Sequence, residues 1–331
     1  LDCERRHAMI PSPGILAVAL VSAALMGLAI QRGATCMVAA VDEAISERRF
    51  GRAAALAEAA IWVGGLAAIA AAAGWLHMTP AAYAVTGWTV AGGVLLGVGA
   101  WVNRSCVFGA VARIGAGQWA WLATPVGFFL GCLIPVEAPM GHTGSSFGAG
   151  PDGVIIMVLF ALLAIWRLIQ AISARHIGRH LWHPHRATLL IAVTFVTTLL
   201  SAGYWAYTDA LAALARSMDA MLSLRVMMVA ALFGGAVAGG AIAGKLRRER
   251  PRGPDVLRCL AGGALMGTGA SLVPGSNDGL ILIGMPLLRP YAWLAFATMC
   301  ATIAAAMLVS RRLAARRAAD SSHFDHERAD P

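Results

Sequence analysis

The sequence predicts an all-α, polytopic membrane protein of about nine transmembrane helices with re-entrant loops and short helices, arranged as an inverted-repeat hourglass. Three observations predict it. Only 13% of the residues are charged and the mean hydropathy is +0.70, whereas soluble domains carry about 25% charged residues. Nine apolar stretches approach or reach the roughly 20 residues a membrane helix needs. Finally, residues 92–109, GGVLLGVGAWVNRSCVFG, return as 262–279, GGALMGTGASLVPGSNDG, at a constant offset of 276 − 106 = 170.

Taken in order, residues 1–12 form an N-terminal segment assigned to the outer side. The apolar run 15–30 lacks a small-residue cleavage site directly behind it and so reads as a span rather than a signal peptide. The nine candidate spans are 13–30, 54–76, 83–101, 119–134, 154–172, 187–206, 225–244, 256–273 and 290–309; the fourth is short and contains Pro125. A membrane transport domain thus covers 13–310, with inverted halves at about 13–150 and 187–310. The charged tail 311–331 reads as disordered and cytoplasmic.

The arginines orient the chain. Loops after odd-numbered spans carry Arg48, Arg49, Arg52, Arg104, Arg113, Lys245, Arg247 and Arg250, among others, and Arg311, Arg312, Arg316 and Arg317 follow the ninth span. The opposite side offers Arg5, Arg6, Arg216 and Arg289. The excess of Lys and Arg on cytoplasmic loops places the N-terminus outside and the C-terminus inside. The same rule accounts for the formal charge of +9 without a nucleic-acid partner.

In this topology the break at Cys106 follows span three and the break at Ser276 follows span eight, on opposite sides, so the two copies are inverted. Inverted repeats whose broken helices meet near the midplane are a recurring transporter plan. A weaker third copy stands at 106 − 36 = 70 residues earlier, where Leu25-Met26-Gly27 precedes Cys36 as Leu95-Leu96-Gly97 precedes Cys106. The repeat glycines Gly97, Gly99, Gly109, Gly267, Gly269, Gly275 and Gly279 suit close helix packing and tight turns.

The breaks hold the residues that can carry chemistry. Cys36 and Cys106 each open a short apolar helix beside an arginine, Arg32 or Arg104, and such a terminus attracts anions. Ser276 and Asn277 offer hydroxyl and amide donors. Asp278 reads equally as a helix-capping residue or as part of a conduction path, since a carboxylate at membrane depth is costly. Cys132, Cys259 and Cys300 lie in apolar runs and read as packing residues. His176, His180, His183 and His185 are interleaved with arginines and read as an interfacial loop. No metal site, cofactor, nucleotide loop, GxSxG or HExxH is expected, and the chain reads as a non-enzyme.

The stretches RGATCMV (32–38), GVGAWVNRSCVFGAVARIGAG (97–117) and GTGASLVPGSNDGLILIGMP (267–286) resemble the YeeE/YedE sulfur-transport family over roughly 13–309. The resemblance implies a bacterial inner-membrane protein shaped as an hourglass. It implies uptake of thiosulfate or a related small sulfur anion, passed along cysteines by S–H···S contacts. Cys36 and Cys106 would then be relay cysteines, and Ser276 stands where a third is expected. A small cytoplasmic TusA-like sulfurtransferase is the implied receiving partner, with lipid around the helices. The alternatives are a membrane subunit of a redox complex and a non-transporting scaffold.

Overall fold

The computed structural model describes residues 12–33, 36–76, 81–135, 141–143, 151–173, 184–216, 222–247, 249–273 and 275–327. Four helices end at a break and restart as a short helix. They are α1 (Pro13–Gly33) with α2 (Met37–Ser46), α4 (Gly87–Asn103) with α5 (Val107–Gly115), α8 (Pro184–Ala202) with α9 (Tyr207–Arg216), and α11 (Gly253–Leu272) with α12 (Asn277–Gly279). The last continues as a π-helical turn, Leu280–Gly284, and α11 is bent against this continuation by 53°. Around these lie α3 (Gly51–Ala72), α6 (Ala123–Cys132, entered by a 3₁₀ turn at Trp119–Leu122), α7 (Pro151–Ile172), α10 (Leu222–Ile242) and α13 (Pro290–Glu327). Extended pairing among the described residues is confined to a two-residue antiparallel ladder, β1 (Ala82–Tyr83) on β2 (His142–Thr143), and an isolated parallel bridge between Gln118 and Glu249. The protein is all-α.

A helix stands at each of the nine apolar segments. Among the described residues seven are long and apolar enough to cross a membrane, and α11 with its bent continuation makes an eighth; Trp119–Cys132 is a shorter apolar helix. The histidines at 176, 180 and 183 and the segment 1–11 lie outside the described residues. The C-terminal end differs from expectation, because α13 runs on as helix to Glu327 where a disordered tail begins in the sequence reading. Alanine-rich RRLAARRAA favours helix, and Arg311 anchors it 2.5 Å from Asp42 on α2.

Lipid tails provide no hydrophobic drive between helices, so these must associate through close packing. The glycine repeat supplies it on two faces. On one, α4 crosses α11: a Cβ on Gly99 would lie 2.7 Å from the Gly262 carbonyl, and one on Gly269 2.9 Å from that of Gly92. On the other, Gly93 and Gly97 of α4 meet Thr298 and Thr302 of α13, while Gly263 and Gly267 of α11 meet Phe128 and Cys132 of α6. These partners are themselves offset by 298 − 128 = 170 and 302 − 132 = 170. The pattern extends outward: α1 packs on α10 and α8 packs on α3, while α2 touches α13 and α9 touches α6.

The outermost helix is α7, whose Val154, Val158, Leu162, Ile165 and Ile169 are exposed, as a lipid-facing helix requires. It carries one charge inward, where Arg167 reaches Glu58 of α3 at 2.5 Å.

Candidate functional site

The breaks meet in the interior, where α5 packs on α12 and α1 on α5. Cys106 is the residue before α5, with φ −78° and ψ 177°, and Ser276 the residue before α12, with φ −83° and ψ −172°. The two repeat positions thus share one extended conformation, which turns each side chain away from its own helix. Neither makes a side-chain cap bond to its helix. Gly275 just before Ser276 has φ +89°, a left-handed conformation that glycine alone takes without strain. Arg104, which precedes the Cys106 break, is also left-handed at φ 56°.

Cys36 and Cys106 come together. Their Sγ atoms are 3.8 Å apart, and Cys36 Sγ is also 3.8 Å from Ser105 Oγ. The backbone N–H of Met37 donates to Cys106 Sγ at 3.2 Å. Gly109 makes room for this pair, since a Cβ there would lie 2.5 Å from Cys36 Sγ. Behind it Thr124 donates to Asn103, whose amide donates at 2.8 Å to the Ser105 carbonyl and so holds the break. Cys300 sits beside the pair rather than in it, with its thiol 3.5 Å from Met37 Sδ. Cys132 and Cys259 are buried, as packing residues are.

Residues of these breaks line two separate cavities. One, of about 770 Å³, is lined by Cys36, Ser105 and Gly109. Arg52, Arg104, Arg113 and Arg258 line its walls against a single acid, Asp42. Arg113 and Arg258 lie over the Trp121 ring, 4.5 and 5.4 Å from its centroid. The other cavity, of about 630 Å³, is lined by Gly275, Ser276 and Gly279, together with Thr208, Asp209, Arg216 and Arg225. Cys106, Val107 and Tyr207 are buried and line neither cavity, and Tyr207 donates to the Val107 carbonyl at 2.9 Å.

Ser276, Asn277 and Asp278 are each 1% exposed, yet they differ in how they are satisfied. Asp278 accepts from the Thr208 hydroxyl, from the Thr208 backbone N–H at 3.2 Å and from the Gly279 N–H at 3.1 Å. It ties the first turn of α9 to the start of α12, which is a capping role across two helices. Among the described residues, Ser276 Oγ and both amide atoms of Asn277 have no hydrogen-bond partner. An unpaired buried polar group costs about 1–3 kcal/mol, and here two adjacent side chains carry that cost.

The sequence reading missed the fourth break, between α8 and α9, and with it Thr208 and Asp209. A signal for it existed: 36 + 170 = 206 and 276 − 70 = 206 both point to Ala206. That position carries no polar residue, so nothing drew attention to it. The part-buried Glu58–Arg167 pair was likewise missed, as two opposite charges in separate apolar runs.

Residues 32–305 match the family described as "Sulphur transport". The chain is also 26% identical, over an alignment of 239 residues covering 62% of this chain and 72% of the relative, to a protein named thiosulfate transporter TsuA from Spirochaeta thermophila.

Proposed function

The chain belongs to the sulphur transport family, and from that premise we propose that it takes up thiosulfate, or a closely related small sulfur anion, across a bacterial inner membrane. The observation that carries this reading is the placement of the two repeat breaks. Cys36 lines one cavity, with the buried Cys106 thiol 3.8 Å from its own, and Ser276 lines the other.

The proposed route runs from the 630 Å³ outer cavity past Ser276 and Asn277, between Val107 and Tyr207, to Cys106 and Cys36, and out through the 770 Å³ inner cavity. Thiosulfate has a hard, oxygen-bearing end and a soft terminal sulfur. The unpaired hydroxyl and amide of Ser276 and Asn277 suit the oxygens. The polarizable thiols of Cys106 and Cys36, already within S–H···S reach of each other at 3.8 Å, suit the terminal sulfur. No covalent bond is needed. The arginines of the inner cavity, Arg104 nearest the break, keep the anion in favourable potential as it leaves. A small TusA-like sulfurtransferase waiting at that mouth is the proposed recipient.

The same reading sets the frame as two inverted halves and nine crossings, N-terminus outside and C-terminus cytoplasmic. The exchange of helix partners at a constant offset of 170 supports it: α4 on α13 is answered by α11 on α6. The basic cavity, with Arg52, Arg104 and Arg113, then lies on the cytoplasmic side, as positive residues do.

Uptake of sulfur-labelled thiosulfate into proteoliposomes tests the proposal. The native chain accumulates label, Cys106→Ala loses it, and Ser276→Cys keeps it. Uptake undiminished in a well-inserted Cys106→Ala protein would remove the thiol path.

A further inference from the structure

The two thiols at the breaks form a pair with one open member. Cys36 lines the 770 Å³ cavity, whereas Cys106 is 1% exposed and lines neither cavity. Their Sγ atoms are 3.8 Å apart, so a covalent S–S bond of about 2 Å needs the two side chains to close a gap of about 2 Å. No third thiol competes at this place. Cys300 faces the Met37 thioether at 3.5 Å, which forms no disulfide, and Cys132 and Cys259 line neither cavity. An open thiol backed by a buried one is the arrangement that thiol–disulfide exchange uses, in which the second thiol resolves the mixed disulfide made by the first. The Met37 backbone N–H donates to Cys106 Sγ at 3.2 Å and supports negative charge on that sulfur as it attacks.

The cavity selects the reagent by charge. Arg52, Arg104, Arg113 and Arg258 line it with Cys36, against Asp42, which is itself paired to Arg311. Arg52 and Arg258 lie 3.7 and 3.2 Å from Glu43 and Asp255, while Arg104 and Arg113 have no ion pair among the described residues. Such a wall concentrates anions. A volume of 770 Å³ lies in the range that holds a drug-sized ligand, so a short polyanionic chain enters whole. The disulfide that suits this space carries negative charge at both ends, as a polythionate does.

We propose that Cys36 and Cys106 form a reactive dithiol that reduces tetrathionate, the disulfide of two thiosulfates, and is itself closed to a disulfide. Cys36, having given its proton to cavity water, attacks an inner sulfur of tetrathionate. The central S–S bond breaks and one thiosulfate leaves with the electron pair. Cys106 then attacks Cys36 Sγ and expels the second thiosulfate, and its proton leaves by the cavity with that anion. The two cysteines are oxidised by two electrons, tetrathionate is reduced by two, and two protons are released. This chemistry stands on the geometry of the pair. Its consequence, that the closed pair interrupts uptake until an external thiol reopens it, rests on the uptake reading above.

The test treats the full chain, reduced and freed of reductant, with tetrathionate. Mass spectrometry is expected to find a chain lighter by two hydrogens and a peptide linking Cys36 to Cys106. A neutral hydroxyethyl disulfide forms the same link about tenfold or more slowly. In a chain whose other cysteines, Cys3, Cys132, Cys259 and Cys300, are alanine, two thiosulfates are released per chain. There Cys106→Ser stops after the first step with thiosulfate held on Cys36, and Cys36→Ser releases none. No Cys36–Cys106 link in the native chain, a link formed as fast by the neutral reagent, or a Cys36→Ser chain that reacts like the parent overturns the proposal. If the alanine background does not insert, the native peptide map and the comparison of the two reagents decide. In proteoliposomes the linked protein loses thiosulfate uptake and dithiothreitol restores it; a linked protein that transports at the native rate overturns the interruption. A native chain that forms the link but never takes up thiosulfate overturns the uptake reading and leaves the dithiol chemistry standing.

Discussion

A single methyl group separates the fates of Gly109 and Gly279, the last glycines of the two repeat copies. At Gly109 a Cβ would press on Cys36 Sγ at 2.5 Å and Cys36 Cβ at 3.0 Å, whereas at Gly279 the nearest atom is the Asp209 carboxylate at 3.5 Å. Gly109→Ala is therefore expected to cost about 1–3 kcal/mol of overpacking and to abolish uptake by displacing Cys36. Gly279→Ala should insert normally. Thermal midpoints in detergent, read alongside labelled uptake, check the pair. Arg104 carries a different conflict, since a non-glycine residue in the left-handed region costs about 1–2 kcal/mol. Arg104→Gly should be at least as stable as the native chain yet slower in uptake, because it removes a charge from the inner cavity wall. At this scale Cys36, Cys106 and Ser276 were legible in the sequence, because thiols and hydroxyls at glycine-rich breaks are unusual in apolar helices. Asp278 was legible as an acid at depth, but not as one whose acceptors are already taken by Thr208.

At the scale of elements, the crossing of α4 and α11 is the contact most sensitive to size. Gly99→Ala and Gly262→Ala each insert a methyl into a gap of 2.7 Å to the facing carbonyl, and each is expected to lower stability by about 1–3 kcal/mol. Because both act on one contact, the double variant should fall short of the sum. Gly234→Ala on α10, where nothing lies within 4 Å, is the control and should be neutral or slightly stabilising. The Glu58–Arg167 pair between α3 and α7 gives a second element-scale expectation. Arg167→Met removes the guanidinium from the buried Glu58 carboxylate and should lower stability, whereas Glu58→Leu with Arg167→Met should recover most of the loss. Thermal unfolding of the two variants decides it. The long helices were readable from windows of apolar residues. The α8–α9 break was not, because Gly203 to Tyr207 reads as an ordinary helix end with no polar marker.

For the whole molecule, the two cavities differ in charge: four arginines against Asp42 on one side, two arginines against Asp209 on the other. If the first faces the cytoplasm, Cys36, which lines it, should react with a membrane-impermeant maleimide applied from that side only. In a variant with its other cysteines replaced by alanine, labelling of Cys36 from the outer side would invert the orientation. What the sequence by itself determined is what short-range chemistry decides: an all-α membrane chain, the positions of its long helices, a glycine repeat at an offset of 170, and two thiols at its breaks. These follow from apolar windows about 20 residues long and from glycine's lack of a side chain, both properties of contiguous residues. What only the tertiary structure decided is which breaks face each other. The 3.8 Å approach of Cys36 to Cys106, the unpaired state of Ser276 and Asn277, and the opening of Asp209 on the outer cavity all depend on helices far apart in the chain. The angle and depth at which such helices cross are set by the fit of their faces, and that fit has no period along the sequence.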